Sequence, residues 1–209
     1  MKKILKTAAA LLCVCILSVF AVSCSADKAE DIIGSVRYPE SYRIVYEVED
    51  KDGVIRTVGK SVDADGNVYF CSGENETVFI REGKSYVEYV KDESGEFICE
   101  SGKKVDADYV ASATAEFSEL AEQSKNKFMP TVKEAGTSEI VGRGCTVYAI
   151  SVGIKAFGIS YFYYVDEATG ICLSYDVEMV LAGIDVESDD TVYVCVEFIT
   201  DEIEPITVQ

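Results

Sequence analysis

The chain has 209 residues, 37 acidic against 19 basic side chains, a formal charge of −18, and neither histidine nor tryptophan. So acidic a surface repels nucleic acid and anionic headgroups, which argues against a phosphate-reading role. The lack of histidine removes Ser-His-Asp and Cys-His nucleophile pairs and any mixed Cys/His metal set.

Met1-Lys2-Lys3-Ile4-Leu5-Lys6 opens the chain, and an uncharged run of about 17 residues follows, ending at Ala21-Val22-Ser23-Cys24. Three lysines hold the start of the chain on the cytoplasmic side while the apolar run enters the membrane. This ending resembles the lipobox of bacterial lipoproteins. The resemblance implies that the Cys24 thiol receives a diacylglyceryl group and that cleavage falls just before it. Cleavage after Ala26, as a plain secreted protein, and retention as an uncleaved anchor are the rival readings. Residues 1–23 are then a leader, 24–38 the lipidated cysteine and its tether, and 39–209 a single extracytoplasmic domain. Removing the leader takes three lysines and no acid, leaving 16 basic against 37 acidic residues, or −21. Such a domain stays soluble and clear of the anionic membrane, and a monomer is expected.

The body begins with a period-two pattern, in which Tyr42, Ile44, Tyr46 and Val48 alternate with Arg43, Val45, Glu47 and Glu49. Asp50-Lys51-Asp52-Gly53 turns the chain into a strand over Val54–Val62, and Asp63-Ala64-Asp65-Gly66-Asn67 turns it into Val68–Cys71. Further strands are expected at Thr77–Arg81, Ser85–Lys91 and Glu96–Glu100. Connections this short join antiparallel neighbours, so this half is a meander.

From Asp106 to about Lys127 the chain has no glycine or proline, and Val110, Ala113, Phe117, Leu120, Ala121 and Ser124 fall at helical spacing. Asp106 is the expected N-cap, and Pro130 stops the segment. The helix either packs on the open end of the sheet or lids a cavity. Strands resume at Cys145–Val152, Phe157–Val165, Ile171–Leu181 and Thr191–Thr200, with a short leading strand at Ser138–Gly142. In the hairpin around Asp166-Glu167-Ala168-Thr169-Gly170, alternation puts Ile171, Leu173, Tyr175, Val177, Met179 and Leu181 on one face. It puts Cys172, Ser174, Asp176 and Glu178 on the other. The expected fold is mainly β with one inserted helix, about ten strands in all.

No metal, cofactor or catalytic constellation emerges. Cys71, Cys99, Cys145, Cys172 and Cys195 are odd in number, widely spaced and set in apolar strand-like contexts. Free structural thiols are expected, with disulfides as the alternative. Asp63-x-Asp65-Gly66-Asn67 has its glycine at the fourth position and no closing glutamate, so it reads as a hairpin turn rather than a calcium loop. Thirteen tyrosines and nine phenylalanines suit ordinary sheet filling or the lining of a ligand cavity. For a cavity, the wall candidates are Val68, Phe70, Val78, Ile80, Phe117, Leu120, Tyr161 and Tyr163.

A lipobox, a long antiparallel meander, a mid-chain helix and a late Tyr164-Val165-Asp166-x-x-x-Gly170 hairpin together resemble the LolA/LolB/LppX-like lipoprotein-carrier superfamily. The resemblance covers roughly residues 30–200 in the order of elements. It implies a curved, unclosed β-barrel with a helical plug on its concave side, and lipid or another hydrophobic molecule as ligand. Two functional readings follow. One is a lipid-anchored cell-envelope protein binding a hydrophobic ligand in a curved-sheet cavity. The other is a non-catalytic surface interaction or structural module with a filled core.

Overall fold

The computed structural model describes residues 35–209 apart from 100–101, 103, 126–131, 155–156, 182–183, 187–190, 202 and 209. The expected leader, Cys24 and most of the tether therefore lie outside the described residues. The first meander runs β1 (Tyr42–Glu49), β2 (Ile55–Val62), β3 (Val68–Ser72), β4 (Asn75–Glu82) and β5 (Ser85–Lys91), with short β6 (Phe97–Ile98) and β7 (Lys104–Val105). Two helices follow, α1 (Ala107–Ala113) and α2 (Ala115–Ala121), then a single 3-10 turn at Gln123–Lys125. The second meander is β8 (Val132–Ile140), β9 (Arg143–Ile154), β10 (Phe157–Asp166), β11 (Cys172–Leu181) and β12 (Ile184–Val186), and β13 (Val192–Ile199) ends it.

The thirteen described strands form one antiparallel sheet in the order β6-β5-β4-β3-β2-β1-β13-β11-β10-β9-β8, with β7 added to β5 and β12 to β11. The outer strands β6 and β8 do not pair, so the barrel is unclosed. Ile44 of β1, Val58 of β2, Ile150 of β9, Tyr163 of β10 and Phe117 of α2 all belong to one core. Strands that far apart in the sheet share a core only because the sheet curves around its inner face, with α2 seated in the hollow.

Turn chemistry sets the first meander. Asp50, Asp63 and Asp92 each accept, through their side chains, the backbone N–H groups two and four residues on. Each backbone carbonyl takes the N–H of the glycine three residues on. This is the Asx turn, in which a short carboxylate stands in for a backbone acceptor. At Gly66, φ is +79°, a backbone conformation that strains any other residue, and a Cβ there would also push the Arg81 guanidinium aside from 2.8 Å.

Three departures from the sequence reading have physical causes. The helix is two short helices rather than one, broken at Thr114, whose φ of −105° and ψ of 18° leave the helical region. The expected short strand at Ser138–Gly142 is instead nine residues long, Val132–Ile140, with a bulge between Glu134 and Gly136. This edge strand is mostly exposed, so it carries no alternating pattern to read. A second bulge, between Tyr164 and Val165, pairs Val165 with Cys172 but Tyr164 with Ser174. The slip brings Ile171, Cys172 and Leu173 all into the core, against the strict alternation expected there.

Candidate functional site

The inner face of the sheet is a wall of aromatic rings. Alternation along β1 turns Tyr42, Ile44, Tyr46 and Val48 inward, each at most 4% exposed. Neighbouring strands add Tyr193, Tyr175, Tyr163 and Tyr161. Tyr46 meets Tyr193 edge-on at 5.4 Å, Tyr193 stacks on Tyr175 at 5.7 Å, and Tyr175 contacts Tyr163 at 5.2 Å and Tyr161 at 6.1 Å. Edge-on and offset pairs of this kind add to the area they bury. Each buried hydroxyl needs an acceptor. Tyr46 donates to the Cys172 carbonyl at 2.9 Å, and Tyr193 donates to the Leu120 carbonyl at 2.8 Å. Burial holds both phenols well above their ordinary range, so they stay neutral donors.

The two helices close this wall from the inner side. Asp106 caps α1 by accepting from the Tyr109 N–H at 2.9 Å, and α1 then buries Val110. Val110 packs with Val68 and Phe79 in a small core of its own. Phe117 of α2 is fully buried, with its ring 5.9 Å from Tyr46 and 6.3 Å from both Tyr38 and Tyr42.

Polar bonds surround that apolar contact. The half-buried Lys60 on β2 donates to the Thr114 hydroxyl at 3.1 Å, at the break between the helices, and lies 5.7 Å from the centre of the Phe117 ring. Thr114 in turn donates to the Val110 carbonyl. Arg56, four residues before Lys60 and on the same face, pairs with Glu116 and donates to the Ser72 hydroxyl. Tyr38 donates to Glu122 at 3.0 Å. Burial pulls the Lys60 ammonium below the usual lysine range, opposed by the negative charge of Glu122. In a chain this acidic, two cations on one face of β2, with Val58 between them and an inner face otherwise built of Val58, Phe70 and Tyr46, stand out.

Of the eight wall candidates, Phe70, Phe117 and Tyr163 lie in the main core, and Leu120 and Tyr161 pack against it. Val68 belongs to the small core under α1. Val78 and Ile80 face the other way: the tight β3–β4 turn pairs Val68 with Phe79 and Phe70 with Thr77, which sends their neighbours outward. Val78 lines an outer groove of about 410 Å³ beneath Ile203–Thr207 of the C-terminal segment. That segment is pinned where the Ile206 N–H donates to Asp63 at 2.9 Å. Asp63 accepts from Asp65, Asn67 and Ile206, so donors already occupy the oxygens that a calcium ion would need. Sequence reasoning missed Lys60 and Arg56. The signal was a lysine at an inward position of β2, between Val58 and Val62.

The sequence matches no protein-family model and no curated protein. Among solved structures it is similar to LprF from Mycobacterium bovis, at 10% identity over 92% of this chain and 97% of that one, with a TM-score of 0.39. It is also similar to a DUF1329 family protein from Desulfovibrio piger ATCC 29098, at 10% identity over 86% and 93%, with a TM-score of 0.26. A third likeness is to a LolA superfamily protein from Nitrosomonas europaea, at 7% identity over 86% and 94%, with a TM-score of 0.27.

Proposed function

We propose that this is a lipid-anchored cell-envelope protein that binds a hydrophobic or lipid ligand against the inner aromatic face of its sheet, with α1 and α2 as a displaceable plug. One observation carries the reading: the way the plug is seated. Each helix is seven residues long, and the two bury only Val110, Phe117 and Ala121 as apolar anchors. Helices this short have little stability of their own in water. The surrounding contacts, Lys60 with Thr114, Arg56 with Glu116 and Tyr38 with Glu122, are polar bonds that water replaces at small net cost. What keeps the plug down is the aromatic wall, which is costly to expose. An acyl chain that covers the same wall removes that cost, so it shifts the population toward the displaced state.

The expected anchor at Cys24 fits a domain of this charge. Two acyl chains at about 0.8 kcal/mol per buried methylene hold a protein on a membrane almost permanently. A tether of some 14 residues then spaces the acidic body roughly 20 Å from the headgroups.

The test starts from protein purified out of native membranes. Intact mass and detergent-phase partitioning read the anchor, with Cys24→Ala as the unlipidated control. Native mass spectrometry and exchange of a fluorescent acyl probe read the ligand. A co-purified or exchanging apolar molecule is expected. Full burial of Tyr46, Tyr163 and Phe117 favours a second reading, an interaction module whose core is permanently filled. Complete failure to bind or exchange any acyl probe, with a protein partner recovered from envelope extract, would establish that reading and sink the first.

A further inference from the structure

Within the reading above, the plug itself describes the molecule it gives way to. Glu116 and Phe117 are consecutive on α2. The first places a carboxylate on Arg56 and the second an apolar ring against Tyr42 and Tyr46. Lys60 touches the same pair of helices, its ammonium bonded to Thr114 and lying near the Phe117 ring. A carboxylate on a cation, joined to an apolar body on an aromatic wall, has the chemistry of an anionic amphiphile.

Displacing α2 removes Glu116 from Arg56 and Thr114 from Lys60 and leaves both cations facing the hollow. The Arg56 and Glu116 side chains are 39% and 36% exposed, so this pair lies at the rim where a headgroup reaches water. Lys60 lies deeper, opposite Ile44 and Phe70 on the adjoining strands. An alcohol could stand in for the neutral Thr114 hydroxyl on Lys60, but it brings no charge to replace the Glu116 carboxylate on Arg56. We propose that the ligand is an amphiphile with an anionic head, carboxylate or phosphate, which takes the place of Glu116 on Arg56 and draws in Lys60 once Thr114 has left it, while its acyl chain takes the place of Phe117.

Palmitate, palmitoyl lysophosphatidate and the uncharged hexadecanol separate the possibilities, each competing for a fluorescent acyl probe on the full-length delipidated protein. The expected result is that one or both anions bind about tenfold or more tightly than hexadecanol, the effect of a charge-assisted hydrogen bond. Which anion leads identifies the head. The double variant Arg56→Gln/Lys60→Met should bind anion and alcohol equally, and Arg56→Gln alone, at the exposed rim, should lower the preference part way. A wild type without preference, or a double variant that keeps it, overturns this inference and leaves the hydrophobic-ligand reading standing. Failure of the wild type to bind all three amphiphiles overturns both.

Discussion

Tyr38 reaches across 84 positions of chain to donate its hydroxyl to Glu122, tying the segment that enters the sheet to the end of the plug. The Tyr38 ring also stacks on Tyr42 at 5.6 Å and leans on Phe117. Entry segment, first strand and plug are therefore one packed unit.

Tyr38→Phe keeps the ring and removes the bond. It should lower stability by about 1 kcal/mol and raise amide exchange in residues 115–121 more than elsewhere. Acyl-probe exchange should quicken in step. Uniform exchange changes across the sheet would show that Tyr38 does not latch the plug.

Arg143 and Asp166 form the best-protected ion pair described. The guanidinium donates twice, at 2.8 and 2.9 Å, to a carboxylate only 2% exposed, and its central carbon lies 4.2 Å from the centre of the Phe198 ring. Burial pushes the Asp166 carboxyl up. The Arg143 fork and the Thr169 hydroxyl and N–H outweigh burial, and the group is held below the usual carboxylate range. With the folded-state value depressed, this contribution is fully present above the ordinary carboxylate value near pH 4. It fades as the pH falls through the lower folded-state value. Arg143→Met leaves a buried charge alone and should cost about 3 kcal/mol at pH 7, with less acid-dependence below pH 4. Urea melts at several pH values measure both effects, and an unchanged pH profile would count against this assignment.

Among the five described thiols, Cys145, Cys172 and Cys195 are buried and none is paired. Burial pushes them up to about 11, 12 and 12 respectively. Since the thiolate is the reactive form, these three should resist a thiol reagent at pH 8 until the protein is unfolded in guanidinium. Rapid labelling of all three in the native state would contradict the packing around them.

Removing residues 204–209 takes away the Ile206 N–H from Asp63 and uncovers Tyr69 and Val78. Asp63 is 2% exposed and keeps its bonds from Asp65 and Asn67, so the loss of this one donor should cost about 1–2 kcal/mol in a urea melt. Asp63→Asn in the full chain should reproduce much of that loss. Full stability in both variants would show that the C-terminal segment rests on the sheet without bracing it.

How much of this was legible depended on whether the signal was local. Tyr42 to Glu49 alternates cleanly, and the Asp50, Asp63 and Asp92 turns each announce themselves within five residues, so the first meander could be read directly. The open sheet with a helical plug was expected only as what the resemblance implied, and the residues of the helix left its place on the sheet open. Register was not legible. The side of the sheet reached by Val78 depends on the length of the β3–β4 turn, and that of Cys172 on a bulge opposite it. The two-residue strand β7 and three-residue β12 exist through pairing with β5 and β11, and their own sequence has no room to show a period. Lys60 went unnoticed as a site because a lysine in a strand ordinarily faces water. Only the match between β1 and β2, which sets it opposite Ile44, shows otherwise.

The position of β13 bears on how the molecule is made. It lies between β1 and β11, so the last of the described strands in chain order is the stitch that joins the two meanders. Until it arrives, β1 has an open edge and Tyr46 lacks Tyr193. Contacts between the two ends of a chain are slow to form, because the long loop between them must close first. Each meander can therefore pair within itself first, and the sheet becomes continuous only when β13 docks on β1 and β11.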